Sequence, residues 1–368
     1  MISKVAIRNF KCLRDVEIDL ERFTVFVGPN ASGKTSILQA MDILCQIFRI
    51  EQPPNPQPNQ RLYQLQNEVQ QGLSRGATDE IELAAECGGK AYRYRSVGLS
   101  SQPAAPQVTQ AARASYGRST ADSLAALEWK PLQAVQPGSV TLPLSILLRL
   151  EVSKLINPAP GNPNQMLMQS PDPTVMQPNG TGLHSALANM ALNDPDSWQA
   201  LQANLRQIIP SIRRLRHTKT AAVKQPAALL FDTDGADSLP ANQVSEGTLL
   251  VLGLLAALHA SDRPNLVLLD DLDRGLHPKA QKELIALLRG LLETIPDLQI
   301  IATTHSPYML DCMGTDEVRM TFLRDDGATV CASLTSHPKY PKWKDEMTPG
   351  EMWSLFGEKW LVEEGVMR

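Results

Sequence analysis

Gly28-Pro29-Asn30-Ala31-Ser32-Gly33-Lys34-Thr35 is the stretch on which the fold turns. Its G-x-x-x-x-G-K-T spacing describes a loop whose backbone N–H groups wrap a phosphate at a helix N-terminus, where the aligned peptide dipoles also favour negative charge. The flanks agree. Residues 22–27 form a compact β-rich run ending at Gly28, and from Lys34 the apolar positions Ile37, Leu38, Met41, Leu44, Cys45 and Phe48 recur with helical period. A chance Gly-rich turn has no reason to fall between a strand and a helix. In such a loop Lys34 reaches the β/γ oxygens of a nucleotide and Thr35 places a hydroxyl on Mg2+, with Asn30, Ala31, Ser32, Gly33 and Ser36 in the same cradle.

Downstream, residues 265–270 (Asn-Leu-Val-Leu-Leu-Asp) read as a buried strand that delivers Asp270 to its carboxyl end, where it can support Mg2+. Asp271 follows and can position or deprotonate an attacking water. An apolar strand ending in two acids can also be only a strand end; the phosphate loop upstream gives it weight. Ser245, in Val244-Ser245-Glu246-Gly247-Thr248, opens the apolar helical run 244–260. Helix capping alone would explain this serine. The sharper reading sets its hydroxyl and the helix N-terminus against the γ-phosphate of a nucleotide held by another subunit. Thr303-Thr304-His305-Ser306 follows a second buried strand, 298–302. A lone histidine is usually structural, but this one falls where parallel strands end, the ligand edge of an open α/β sheet.

Residues 2–8 and 15–20 alternate as half-buried strands, and 81–87 with 90–97 read as a hairpin through Gly88-Gly89. Between residues 53 and 178 lie 15 of the 27 prolines, so that span reads as inserted, irregular surface structure. Periodic pieces occur at 143–155 and 182–209, the latter a helix pair broken near Pro195, and residues 279–294 form an amphipathic helix. Strands alternating with helices after a Gly-rich loop predict an α/β fold whose parallel sheet is covered on both faces. The expected organisation is an N-terminal part of the head (1–100), an insertion with a helical lobe (101–224), a C-terminal part of the head (225–335) and a tail (336–368).

The formal charge of −4 excludes a protein that coats nucleic acid by charge alone, so any such contact must use a local patch. Two patches exist. Arg213-Arg214-Leu215-Arg216-His217, with Lys219 and Lys224, is the densest basic cluster, and Lys90-Ala91-Tyr92-Arg93-Tyr94-Arg95 alternates basic and aromatic residues. Each reads more simply as a solvated face, or for the second as an edge strand guarded by charge. Five scattered cysteines lack metal-ligand spacing and fit a reducing cytoplasm. Neither a signal peptide nor a membrane span is expected.

Together these residues resemble the ATP-binding-cassette heads of the SMC, RecF and OLD group, especially the small stand-alone RecF-like predicted ATPases of bacteria. Ile7-Arg-Asn-Phe-Lys11 resembles the group's first strand, Gly28–Thr35 its Walker A, Ser245-Glu-Gly-Thr248 its signature, Asp270-Asp271 its Walker B and His305 its switch histidine. Leu276-His277-Pro278 resembles the D-loop region, Gly182–Arg216 the lid helices, and Thr348–Glu364 the shared tail. The resemblance implies a P-loop NTPase fold of ABC-ATPase type: a mixed sheet with flanking helices plus a helical lid lobe. It also implies a homodimer closed on two ATP molecules with Mg2+, each site joining one subunit's phosphate loop to the other's Ser245 and Gly247. Lys34, Asp271 and His305 would then be the catalytic residues, with Thr35 and Asp270 on the metal.

Two departures qualify it. The family usually carries Glu where this chain has Asp271, whose carboxylate falls about 1.5 Å short; misplacement on that scale costs on the order of 10²-fold. Slow turnover is expected, with ATP more a clamp than a fuel. Lys34 and Asp270 lie 236 positions apart with no heptad run between them, which excludes a long coiled-coil arm. No room is expected after residue 335 for an OLD-type nuclease domain. The leading expectation is a RecF-like clamp or sensor on double-stranded DNA in DNA repair or genome defence; the alternatives are a regulatory ATPase controlling a separate effector protein (a nuclease or toxin) in anti-phage defence without direct DNA contact, and a scaffold that binds ATP and scarcely hydrolyses it. A small-molecule kinase would need a substrate pocket in place of the Ser245 helix.

Overall fold

The computed structural model describes residues 1–49, 72, 80–96, 107–110, 142–156, 175–218 and 228–363. Most of the Pro-rich span 53–178, together with Lys219 and Lys224, lies outside the described residues. The opening strands are β1 (Ile2–Phe10), β2 (Leu13–Asp19) and β3 (Phe23–Val27), and α1 (Lys34–Arg49) starts at the loop lysine. The glycine hairpin is present as β4 (Ile81–Cys87) and β5 (Lys90–Ser96). Gly88 and Gly89 both take left-handed φ, 58° and 76°, as a two-residue primed turn requires. After β6 (Gln107–Gln110), β7 (Ser145–Leu148) and α2 (Val152–Ile156), the helix pair is α3 (Leu183–Asn193) and α4 (Pro195–Ile208). It breaks at Asp194, which accepts a bond from Ser197 N at 3.1 Å and caps α4 with Pro195 in its first turn.

Then follow β8 (Ile212–Thr218), β9 (Ala228–Thr233), β10 (Leu239–Pro240), α5 (Glu246–Leu258), β11 (Leu266–Leu269), α6 (Pro278–Thr294) and β12 (Gln299–Thr303). The chain ends with α7 (Pro307–Leu310), β13 (Val318–Leu323), β14 (Thr329–Ser333), α8 (Tyr340–Trp343), α9 (Pro349–Phe356) and α10 (Trp360–Glu363).

The chain divides into two compact units, each built from separated segments: Met1–Leu147 with Asn265–Asp271 and Pro296–Arg368, and Leu148–Pro264 with Leu272–Ile295. In the first unit a six-stranded sheet runs β14-β13-β3-β12-β11-β7 and a five-stranded sheet β2-β1-β4-β5-β6. The pairs β13–β3, β3–β12 and β12–β11 are parallel, and β14 runs antiparallel to β13, so the larger sheet is mixed. Helix α1 packs between the two sheets. Its Ile37, Leu38, Met41 and Leu44 share one buried cluster with Val5, Ile7 and Leu83 from the smaller sheet and Phe26, Leu268 and Ile301 from the larger. Burying each such side chain contributes roughly 1.5–3 kcal/mol, which fixes the helix carrying Lys34 and Thr35 against β3, β11 and β12.

The second unit gathers α2–α6 and the small sheet β10-β9-β8. Helix α5 is apolar on every side and buried on nearly every residue from Gly247 to Leu258, as such a sequence requires. β8 is the strand that periodicity hides. A register shift between Ile212 and Arg214 separates its buried residues, Ile212 and Leu215, by three positions instead of two. No helix among the described residues is long and apolar enough to cross a membrane, and all five cysteines are free thiols.

Candidate nucleotide site

Because β3, β12 and β11 run parallel, their carboxyl ends open at one edge: β3 into Gly28, β11 into Asp270, and β12 into Thr304 and His305. Gly28 and Gly33 have φ of 150° and 98°. A Cβ on Gly28 would strike the backbone and hydroxyl of Thr321, and one on Gly33 the side chains of Thr329 and Cys12. Both positions therefore require glycine. Ser32 Oγ lies 2.7 Å from Thr321 Oγ1, which donates to Val27 O at 3.0 Å and pins the loop to β13. Asn30 and Ala31 form the exposed tip, Ala31 with a left-handed φ of 62°.

Lys34 is buried, and its ammonium donates to Gly28 O at 2.9 Å and Pro29 O at 2.8 Å, drawing the lysine back across its own loop. Thr35 Oγ1 donates to both carboxylate oxygens of Asp270, at 2.9 and 3.0 Å. Thr303, at the end of β12 and fully buried, donates to Asp270 Oδ1 at 3.0 Å and accepts from Asp271 N at 2.8 Å. Asp271 is exposed and sits at φ 54°, a left-handed conformation that Asp tolerates better than most residues. His305 is exposed on the loop after β12, and Ser36 Oγ lies 3.9 Å from Cys12 Sγ.

The fold thus brings together Lys34, Thr35 and Asp270 in the first unit, with Asp271 and His305 at the same sheet edge. Thr303 is a member that sequence reading missed. Its position beside Asp270 follows from the register Leu269↔Ala302, which only the paired strands reveal. The geometry fits a nucleotide with Mg2+: the loop presents an exposed tip at the N-terminus of α1, and a hydroxyl and a carboxylate in contact are the hard oxygen donors that Mg2+ takes. Among the described residues there is no group of three or more His, Cys, Asp or Glu that could hold a metal.

Ser245 and Gly247 belong to the second unit. Ser245 Oγ caps α5, accepting from Thr248 N at 3.2 Å. Gly247 lies so close to Gly275 that a Cβ would strike the Gly275 carbonyl, and Glu246 pairs with Arg274 at 2.5 Å. The signature turn and residues 272–277 are therefore locked together. In the tail, Thr348 and Glu351 form a capping box on α9, whose Gly350 N donates to Asp311 Oδ1 at 3.1 Å. That ties the tail to α7, two residues beyond His305.

The two basic stretches differ from the picture of exposed, interleaved side chains. On β5, Tyr92 and Tyr94 are buried and cannot stack on bases, while Arg93 and Arg95 donate to Glu82 at 2.7 and 3.1 Å. Burial alone would raise the Glu82 carboxyl, but the bonds and charges of Arg93 and then Arg95 outweigh it and hold it below its usual range. β5 is also paired on both sides, so it is not an edge strand. On β8, Arg216 forks onto Asp232 with two bonds of 2.7 Å, and that carboxyl falls to about 2. Arg213 and Arg214, neighbours that a regular strand would point to opposite faces, both line an open cleft of about 680 Å³ with Arg206, Asp196, Gln199 and Gln202.

Residues 1–82 match the model of an AAA ATPase domain family, and residues 150–311 match an AAA-domain family model whose description names the AbiEii toxin and a Type IV TA system. Over 44 residues the chain is 43% identical to the OLD nuclease of Thermus scotoductus, and over 61 residues 41% identical to the Septu protein PtuA of Bacillus thuringiensis. These stretches are 12% and 17% of this chain, and they span only 8% and 15% of the relatives' own lengths. Among solved structures, the Smc head bound to the C-winged-helix domain of ScpA matches 93% of this chain and 99% of that one, with TM-score 0.56 and 16% identity. The Pyrococcus furiosus Smc head bound to the C-terminal domain of ScpA matches 94% and 99%, with TM-score 0.52 and 15% identity. Those likenesses carry the fold: the chain has the fold of an SMC-type ATPase head, and two stretches of it match AAA-type ATPase domain models.

Proposed function

We propose that the protein binds ATP with Mg2+, hydrolyses it slowly, and closes head-to-head as a homodimer while ATP is held. The observation that carries this is the bond from Thr35 to Asp270, which joins the phosphate-loop helix to the acid of β11 across 235 residues. Lys34 holds the phosphates, within a cradle formed by Asn30, Ala31, Ser32, Gly33 and Ser36. Thr35 and Asp270 hold Mg2+, which would draw charge from the phosphate oxygens. Asp271 orients the attacking water and receives its proton, and His305 reads the γ-phosphate. Ser245 and Gly247 complete the partner's site, so nucleotide binding favours the closed pair. The defence proteins among the relatives support a role as a regulatory ATPase in anti-phage defence, acting on a separate effector protein in the cytoplasm.

A second reading, contact with double-stranded DNA, is supported by the cleft that gathers Arg206, Arg213 and Arg214. Steady-state phosphate release, measured against protein concentration with and without duplex DNA and with Lys34→Ala as the blank, tests both readings. A rate per head that climbs with concentration is the expected result, since a composite site needs two heads. A flat rate per head would sink the dimer. Stimulation by DNA would favour the second reading over the effector switch.

A further inference from the structure

We infer that Thr303 is a positioning residue whose hydroxyl sets both acids at the end of β11. The inference rests on the hydrolytic reading above and adds a member to that site. An ionised carboxylate only accepts hydrogen bonds, so the Thr303 proton must point at Asp270 Oδ1, 3.0 Å away. That leaves the lone pairs of Thr303 for Asp271 N, 2.8 Å away. One fully buried hydroxyl therefore bonds the carboxylate of the first acid and the backbone of the second.

Each bond has a separate consequence. The first, with Thr35 on the same carboxylate, fixes the rotation of Asp270 and so the direction in which its oxygens face a metal. The second fixes the peptide at which the chain leaves β11 and turns to φ 54° at Asp271. A non-glycine residue in that region needs its surroundings to hold it there. The Cβ of Asp271, and with it the water-orienting carboxylate, points where this bond lets it point. The strand itself makes no such demand. Valine has the shape of threonine and suits a buried strand at least as well, so packing alone does not call for a hydroxyl at this position.

The test compares Thr303→Val with Thr303→Ser in the full chain. Removing an outer-shell partner of a metal-site ligand typically costs about 10–100-fold in metal affinity or activity. Thr303→Val is expected to shift the Mg2+ midpoint for nucleotide binding upward and to lower turnover at saturating ATP and Mg2+, both within that range. Binding of ATP without Mg2+, which depends on the phosphate loop, stays unchanged. Thr303→Ser returns both quantities to within a few-fold of the parent. Amide hydrogen exchange at Asp271 speeds up in the valine variant whether or not the protein turns over ATP. A parent that turns over no faster than Lys34→Ala removes the hydrolytic reading and leaves the Mg2+ midpoint and the exchange rate to decide this inference. Unchanged exchange at Asp271, or a serine variant as impaired as the valine variant at equal melting temperature, overturns it.

Discussion

At the carboxyl edge of the parallel sheet, Thr35, Asp270 and Thr303 bond one another across 235 and 33 residues of chain. On β8, Arg213 and Arg216 find their acids, Asp237 and Asp232, only 24 and 16 residues away on the adjoining hairpin. On β5, Arg93 reaches Glu82 across 11 residues. Bonds of the first kind can form only after the sheet has assembled in the right order, and they sit where the fold exposes a bare loop and a strand-end acid. Bonds of the second kind form with the hairpin and neutralise charge that would otherwise repel. Polar residues joined by topology thus mark a candidate site, while polar residues joined by the nearest turn mostly build the scaffold. Arg206, Arg213 and Arg214 blur the distinction from one side, and the long-range scaffold bonds of Arg319 and Gln299 from the other.

The largest effect expected from breaking this contrast is at Lys34. Lys34→Ala removes the cation that the loop carbonyls of Gly28 and Pro29 hold in place. Loss of one such electrostatic partner costs on the order of 10²–10³-fold in turnover, read as phosphate release. A variant as active as the parent would mean that the sheet edge is not the catalytic site.

Next in size is Asp271→Glu. The longer side chain recovers about 1.5 Å of reach, and turnover should rise by up to about 10²-fold. The backbone adds a cost: at φ 54°, Asp is tolerated and Glu less so, so the melting temperature should fall by a few degrees as turnover rises. Unchanged or slower hydrolysis would show that the short acid is not what limits the rate.

Smaller again is the effect that would settle the arginines. If the cleft holds nucleic-acid phosphates, replacing Arg206 and Arg214 together by Ala should weaken duplex binding uniformly across sequences. The salt slope should become shallower by about one for each phosphate that is no longer neutralised. Arg93→Ala should leave DNA affinity alone and cost stability, since it removes the shorter of the two arginine bonds to the largely buried Glu82 and leaves only that of the more exposed Arg95. Equal effects on DNA binding from both would return β8 to the scaffold.

How far the sequence could reach follows the same contrast. The phosphate loop, the Asp270 strand, the glycine hairpin and the Asp194-Pro195 break are local patterns, and each stands where its residues predict. What stayed hidden depends on register. Thr303 is an ordinary strand threonine until β11 and β12 are paired, and β8 loses its alternation to the shift between Ile212 and Arg214. β13 is masked by buried polar residues: Arg319 donates to Asp19 O at 2.8 Å and Thr321 to Val27 O at 3.0 Å. In each case a long-range bond satisfies a residue that, read locally, argues against a buried strand.

The smallest expected effect lies at His217, the histidine of the basic cluster. Its ring stands 5.5 Å from that of Trp198, and neither ring nitrogen has a hydrogen-bond partner among the described residues. Burial, and then the neighbouring His184, push its pKa below the ordinary histidine value. His259 is lowered by burial too, against the opposing pull of Asp194. A histidine whose pKa is depressed in the folded state binds its proton more readily when unfolded. Stability is therefore complete above the unfolded value of about 6.5 and declines as the pH falls through it. Asp232 does not confuse this window. Its carboxyl is held at about 2 in the folded protein, so what it contributes is present above the ordinary aspartate range and lost only as the pH falls toward 2. Denaturant midpoints measured from about pH 7.5 to about 5.5, a span that brackets the unfolded histidine value, should fall. His217→Phe, which keeps an aromatic ring beside Trp198 and removes the proton site, should make the decline shallower. The same slope in both proteins would mean that His217 is already solvated, and that β8 is held less firmly than its pairing with β9 implies.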